Sequence, residues 1–244
     1  LHMAAGLGPC RFSYAAGRAL CQQRAPVARK RVRTQKGRAL APPGGAVMKE
    51  YCGEVFSKLE RAGEELSGLL LEDCLFQSCR FTELSLVNCR FSGCRFVDCK
   101  VAAPKLRGCQ MFSCDFENCA LSGVDWSALL DERKRGMGFL PFDSLSGCSL
   151  RHCVCFGLDL KSFNFSRTDL SGSVFDGCHL EEASFQECRL GGASFAQNDL
   201  SGADSRGAEE YFFSLESNRV KGARFSLPEA VNLLSALGVV IEEL

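Results

Sequence analysis

The chain has 244 residues, and its 29 lysines and arginines balance 29 aspartates and glutamates for a formal net charge of zero. The balance is uneven along the chain. Residues 1–47 hold nine basic residues and no acid, which leaves 20 against 29, a net of −9, for residues 48–244. A net-acidic body disfavours direct binding to nucleic acid, and no run approaches the roughly twenty apolar residues of a spanning helix.

Residues 1–47 show no apolar periodicity, and Arg29, Lys30, Arg31 and Arg33 make a solvated basic stretch. The segment reads as a basic, disordered extension, with Met48 as the preferred start; a processed leader or a nucleic-acid-binding arm is the alternative.

From Tyr51 onward a fixed short period takes over. Large apolar residues recur every fifth position at Phe56, Leu66, Leu71, Phe76, Phe81, Leu86, Phe91, Phe96, Val101, Leu106, Met111, Phe116, Leu121 and Trp126, with Arg61 the one break. The residue two places earlier is usually cysteine, as at Cys74, Cys79, Cys89, Cys94, Cys109, Cys114 and Cys119. On a helix, five steps advance roughly 140° and give no stripe; on a strand, five is odd, so successive large residues face opposite sides. The pattern works only if the chain turns a corner every five residues. Four corners close a coil of about twenty, so residues i and i+20 stack. The predicted fold is an all-β solenoid, a right-handed quadrilateral β-helix with a short C-terminal helix. Each inward pair joins one large and one small residue.

Residues 48–126 form the first block of coils, in which Pro104 occupies a small inward slot and should distort its face. Residues 127–144 form an interrupting loop, carrying Asp131, Glu132, Arg133, Lys134 and Arg135, expected to project from one face and either contact a partner or serve only as a solvated loop that resets the phase. The second block, residues 145–226, has its large residues at multiples of five, from Leu145 and Leu150 to Leu200, and Ala or Ser replaces Cys in several small slots. Its acids Asp169, Asp176 and Glu209 point outward. Residues 227–244 change grammar: Ser226 and Glu229 read as a capping box, Pro228 as a first-turn residue and Gly238 as a helix stop. Val239, Val240 and Ile241 read as a short strand. Leu227, Val231, Leu234, Leu237, Val240 and Ile241 exceed what one coil end can cover and are assigned to a homodimer interface, with a lid as the alternative.

Of the sixteen cysteines, twelve occupy small inward slots and read as small hydrophobic fillers, reduced and metal-free in a cytoplasmic setting; no cofactor is implied. Outward positions offer no clustered His with carboxylates, no phosphate-cradling glycine loop and no nucleophile pair, so no enzyme is expected.

Across residues 54–225 this grammar resembles the pentapeptide-repeat family. Two stretches, Tyr51-Cys52-Gly53-Glu54-Val55-Phe56 and Ala223-Arg224-Phe225-Ser226-Leu227-Pro228-Glu229-Ala230, resemble the albicidin-resistance and microcin B17 immunity proteins, relatives of the Qnr-type topoisomerase-protection proteins. The resemblance implies a rod-shaped homodimer acting on DNA gyrase or topoisomerase IV, protecting it from poisons of the cleaved complex, with DNA mimicry as a possible means. The chain departs from that pattern in its cysteine content and its basic extension. A structural scaffold with an unrelated partner is the second reading.

Overall fold

The computed structural model describes residues 48–211, 214–235 and 237–240; the basic extension and Ile241 lie outside them. The described chain is a parallel β-solenoid. Strands Lys49–Cys52, Leu69–Glu72, Arg90–Ser92 and Gln110–Phe112 stack on the first face. Val55–Ser57, Leu75–Gln77, Arg95–Val97, Cys114–Glu117 and Phe142–Ser146 stack on the second, and Glu60–Ala62 through Ser149–Arg151 on the third. On the fourth, Glu65–Ser67, Ser85–Val87 and Lys105–Arg107 stack, and a bridge from Asp125 to Val154 leads on to Val154–Phe156, Val174–Asp176 and Ser194–Ala196. Partners within each block are i and i+20, such as Phe56 with Phe76 and Val101 with Leu121.

The corner is one left-handed residue per pentad. Positive φ recurs at Gly53, Lys58, Gly63, Gly68, Asp73, Ser78 and so on to Gly123, and again from Gly147 in the second block. Each non-glycine residue held there costs roughly 1–2 kcal/mol, a cost that the ladders and the core must offset. In the core, Phe56, Phe76, Phe96 and Phe116 form a stacked column with ring centroids 5.0, 4.7 and 4.8 Å apart. In the second block Phe165 stacks on Phe185 at 5.2 Å and Phe175 on Phe195 at 5.0 Å. At the first coil, the register break at Arg61 is an ion pair in adjoining positions, with Arg61 Nη1 3.1 Å from Glu64 Oε2.

The small slot is more than a filler. At two slots of the first block the amide is taken by the slot side chain of the next coil: Cys99 N–H donates to Cys119 Sγ and Cys119 N–H to Cys148 Sγ, each at 3.4 Å. The thiol in turn donates to backbone carbonyls, Cys119 to Phe96 and Glu117 at 3.3 Å each. In most second-block coils the corner closes on itself. Thr168, Ala183, Ala193 and Ala203 N–H groups donate to the carbonyls three residues earlier at 3.0, 3.1, 2.8 and 3.0 Å. There the next slot needs no acceptor, and Ala suffices. Where the second block returns to extended strands, on the fourth face, polar slots return: Cys178 N–H donates to Asn198 Oδ1 at 2.8 Å and Asn198 N–H to Asn218 Oδ1 at 3.0 Å. This corrects the reading of the cysteines as fillers alone, because a buried N–H without a partner is costly. It also explains why Pro104 leaves its ladder intact, with Lys105 paired to Ser85. Proline lacks the slot N–H, and the next slot holds Val124, which offers no acceptor.

Three further expectations are revised. The 127–144 segment folds back on the solenoid instead of projecting, with Leu129, Leu130 and Phe142 buried. It adds nine residues beyond a whole coil, since Asp115 pairs with Ser144 and Ala120 with Ser149. The capping box does not form: the C-terminal helix begins only at Val231, and Ser226 Oγ accepts from Gly207 N–H at 2.9 Å, tied to the preceding coil. Val239 and Val240 form no strand.

Candidate partner-binding surfaces

The insertion is built from short-range capping and anchored by aromatic rings. Asp125 Oδ1 accepts from Ser127 and Ala128 N–H at 3.0 and 3.1 Å, and Ser127 Oγ accepts from Phe156 N–H at 2.6 Å. Helix α1, Glu132–Gly136, is capped by Asp131, whose carboxylate accepts from Lys134 N–H at 2.9 Å. That bond, with the Lys134 and Arg133 charges, holds the Asp131 carboxyl below its usual range. Lys134 Nζ lies 3.2 Å from Asp131, donates to Gln110 at 3.3 Å and sits 4.3 Å over the Phe112 ring. Arg135 donates to the Phe156 carbonyl at 3.3 Å, its guanidinium carbon 5.9 Å from that ring's centre. Glu132 and Arg133 are exposed. The five predicted loop residues therefore come together on one short helix fixed to the wall. Phe112 and Phe156, which fix it, escape a reading of the sequence because they sit at outward positions; Phe156 is 52% exposed. Two large aromatics outside the period-five phase were the available signal.

The predicted acidic residues are not brought together. Asp169 bridges to Arg189, and Arg189 to Glu209, along the third face, so a base stands between the two acids. Asp169 also lies 3.8 Å from Arg151, and Glu209 3.6 Å from Arg189. Burial pulls the Asp169 carboxyl up, but bonds from Ser171 and the flanking Arg151 and Arg189 outweigh it and hold it below its usual range. Asp176 sits on the fourth face, beside Phe156 and Ala196 in the ladder. The same alternation recurs where Asp199 pairs with Arg219 at 3.3 Å and Arg167 with Glu187 at 2.8 Å. Only the i+20 register shows this, because the partners are distant in sequence.

Against known proteins, a family profile described as Pentapeptide repeats (8 copies) matches residues 144–186, 164–202 and 178–209. The same ladder continues through the cysteine-rich first block. Residues 144–209 are pentapeptide repeats. Among solved structures it is similar to QnrB1, a plasmid-mediated fluoroquinolone resistance protein, at 20% identity over 77% of this chain and 100% of that one, with a TM-score of 0.36. It is also similar to HetL, a pentapeptide repeat protein involved in heterocyst differentiation regulation from Nostoc sp. strain PCC 7120, at 17% identity over 72% of this chain and 86% of that one, with a TM-score of 0.39. Neither likeness extends to function. No curated protein matches the chain.

At the C-terminal end of the pentapeptide-repeat solenoid, helix α2, Val231–Ser235, buries Leu233. Val231 is half-buried, while Leu227, Leu234, Leu237 and Val240 are 79%, 41%, 44% and 82% exposed. The segment is thus partly a lid and partly an open apolar surface; Ile241 lies outside the described residues. The inward thiols divide: hydrogen bonding with Cys89 lowers Cys109 to about 7 and hydrogen bonding with Cys119 lowers Cys148, while others are held protonated. Cys119 is pushed up to about 12, its Cys148 neighbour the largest cause and burial adding to it, and burial pushes Cys153 and Cys188 up to about 11. Among the described residues, no group of three or more His, Cys, Asp or Glu is placed to hold a metal ion, and no helix is long and apolar enough to cross a membrane.

Proposed function

We propose that this protein is a non-enzymatic docking rod that binds DNA gyrase or topoisomerase IV and protects it from an antibiotic or peptide toxin that traps the cleaved complex. The target is supported by the resemblance of the Tyr51–Phe56 and Ala223–Ala230 stretches to the albicidin-resistance and microcin B17 immunity proteins. The observation that carries the docking surface is helix α1, pinned over Phe112 and Phe156 at the joint between blocks. A recognition element already held in place costs less ordering on binding. The protein acts in the cytoplasm as a homodimer joined through Leu227, Leu234, Leu237 and Val240. DNA mimicry would draw on acids such as Asp176 rather than on Asp169 and Glu209, whose charge Arg151 and Arg189 offset. That pairing favours the second reading, a scaffold for an unrelated partner.

The test is a gyrase supercoiling and cleavage assay with a fluoroquinolone, using the full chain, a deletion of Asp131–Gly136, and charge reversal at Asp176. Protection by wild type that falls in the deletion while folding persists is the expected result. Failure of wild type to protect either topoisomerase against any cleavage-trapping poison removes the target and leaves the scaffold. Equal protection by both variants removes these surfaces.

A further inference from the structure

The solenoid interior is not equally filled along its length. In the second block Phe165, Leu170 and Leu180 are 0% exposed. In the first, Phe81, Phe91 and Met111 retain 8%, 6% and 7% exposure, and Leu86, Val101 and Leu106 are only half-buried although all three lie within the ladders. These side chains border an apolar cavity of about 80 Å³.

Side-chain size explains where it lies. One coil presents Phe76, Phe81, Leu86 and Phe91 inward; the next presents Phe96, Val101, Leu106 and Met111. Val101 stands in register between Phe81 and Leu121, so a ring gives way to an isopropyl group with no neighbour grown to compensate. The adjoining slots hold Pro104 and Val124 rather than cysteine, so no polar side chain lines the space. Such a cavity stays dry, since water there would find none of the two to four partners it needs. Interiors are normally packed to crystal-like density, so the lining atoms lack contacts that an apolar guest would restore.

We propose that this cavity is a binding site for one small, wholly apolar guest: a xenon-sized atom or a short unbranched alkyl chain. Its volume is about half that of a dry engineered cavity that takes benzene, which selects a slender guest over an aromatic ring. A polar head group would enter without a partner and be rejected.

The test uses the full chain under xenon pressure, followed by methyl NMR and thermal unfolding. Saturable shifts are expected at the methyls of Leu86, Val101 and Leu106 and none at Leu170 or Leu180, with a thermal midpoint that rises with xenon. Val101→Phe, which repeats the ring of Phe81 one coil earlier, should abolish the response and raise the midpoint without xenon by about 3 °C. Val101→Leu, matching Leu121, is the milder variant should the ring not be accommodated, and should weaken the response at least twofold. Unresponsive wild-type methyls overturn the proposal. So does an undiminished response in whichever of the two variants folds.

Discussion

Replacing Cys119 by alanine separates a hydrogen-bonding slot from a merely small one. Alanine removes a sulfur buried to within 2%, worth about 0.8 kcal/mol if it counts as one methylene. It also leaves the Cys99 N–H, which now donates to that sulfur at 3.4 Å, without a partner inside the solenoid, at about 1–3 kcal/mol. The expected loss is about 2–4 kcal/mol. Cys188→Ala is the control: the amide one coil earlier, Thr168 N–H, already donates to Phe165 at 3.0 Å, so only the sulfur term remains, about 1 kcal/mol. Cys119→Ser should be milder than alanine. Ser173 shows a hydroxyl doing both tasks, accepting from Cys153 N–H at 3.0 Å and donating to the Leu150 carbonyl at 2.5 Å. Urea unfolding under reducing conditions, with the denaturant slope checked for constancy, reads the three losses. Equal losses for the two alanine variants, or a serine worse than alanine, would refute the reasoning and return the cysteines to simple fillers.

Ala103→Gly should raise the thermal midpoint, because Ala103 sits at φ +47°, where the methyl costs roughly 1–2 kcal/mol against a glycine entropy cost of about 0.5–1 kcal/mol; a lower midpoint contradicts the left-handed corner. The bonds from Arg206 hold the Asp204 carboxyl down at about 2. Its contribution is therefore complete above the ordinary carboxylate range and lost as pH falls from about 4 towards 2. The stability gap between wild type and Asp204→Asn should close over that window, and a gap unchanged down to pH 2 rules the pair out as its source. Truncation after Ser226 should halve the mass seen by light scattering while the coils persist, less firmly capped once Leu233 is gone; a full-length protein that scatters as one chain leaves the C-terminal segment as a lid only.

Much of this fold is legible in one dimension. A period of five excludes helix and flat strand on geometric grounds, and the phase change between Trp126 and Leu145 requires an insertion that is not a whole number of pentads. The inward column from Phe56 to Phe116 follows from spacing, as does the cluster from Asp131 to Arg135 from its contiguity. The C-terminal segment is deceptive because Ser226 and Glu229 satisfy a local capping pattern, while the Ser226 hydroxyl is drawn instead to Gly207 N–H, nineteen residues back.

The sequence by itself determined which residues face inward, because side-chain direction follows the local backbone period. Only the tertiary structure decided what each side chain meets one coil away: Arg189 between Asp169 and Glu209, Phe156 under Arg135, and an acceptor for Cys99 N–H in Cys119. Those contacts depend on whether the slot amide closes on its own turn or is left for the next coil. They also depend on a nine-residue insertion that resets which positions become neighbours. Five-residue spacing carries neither quantity.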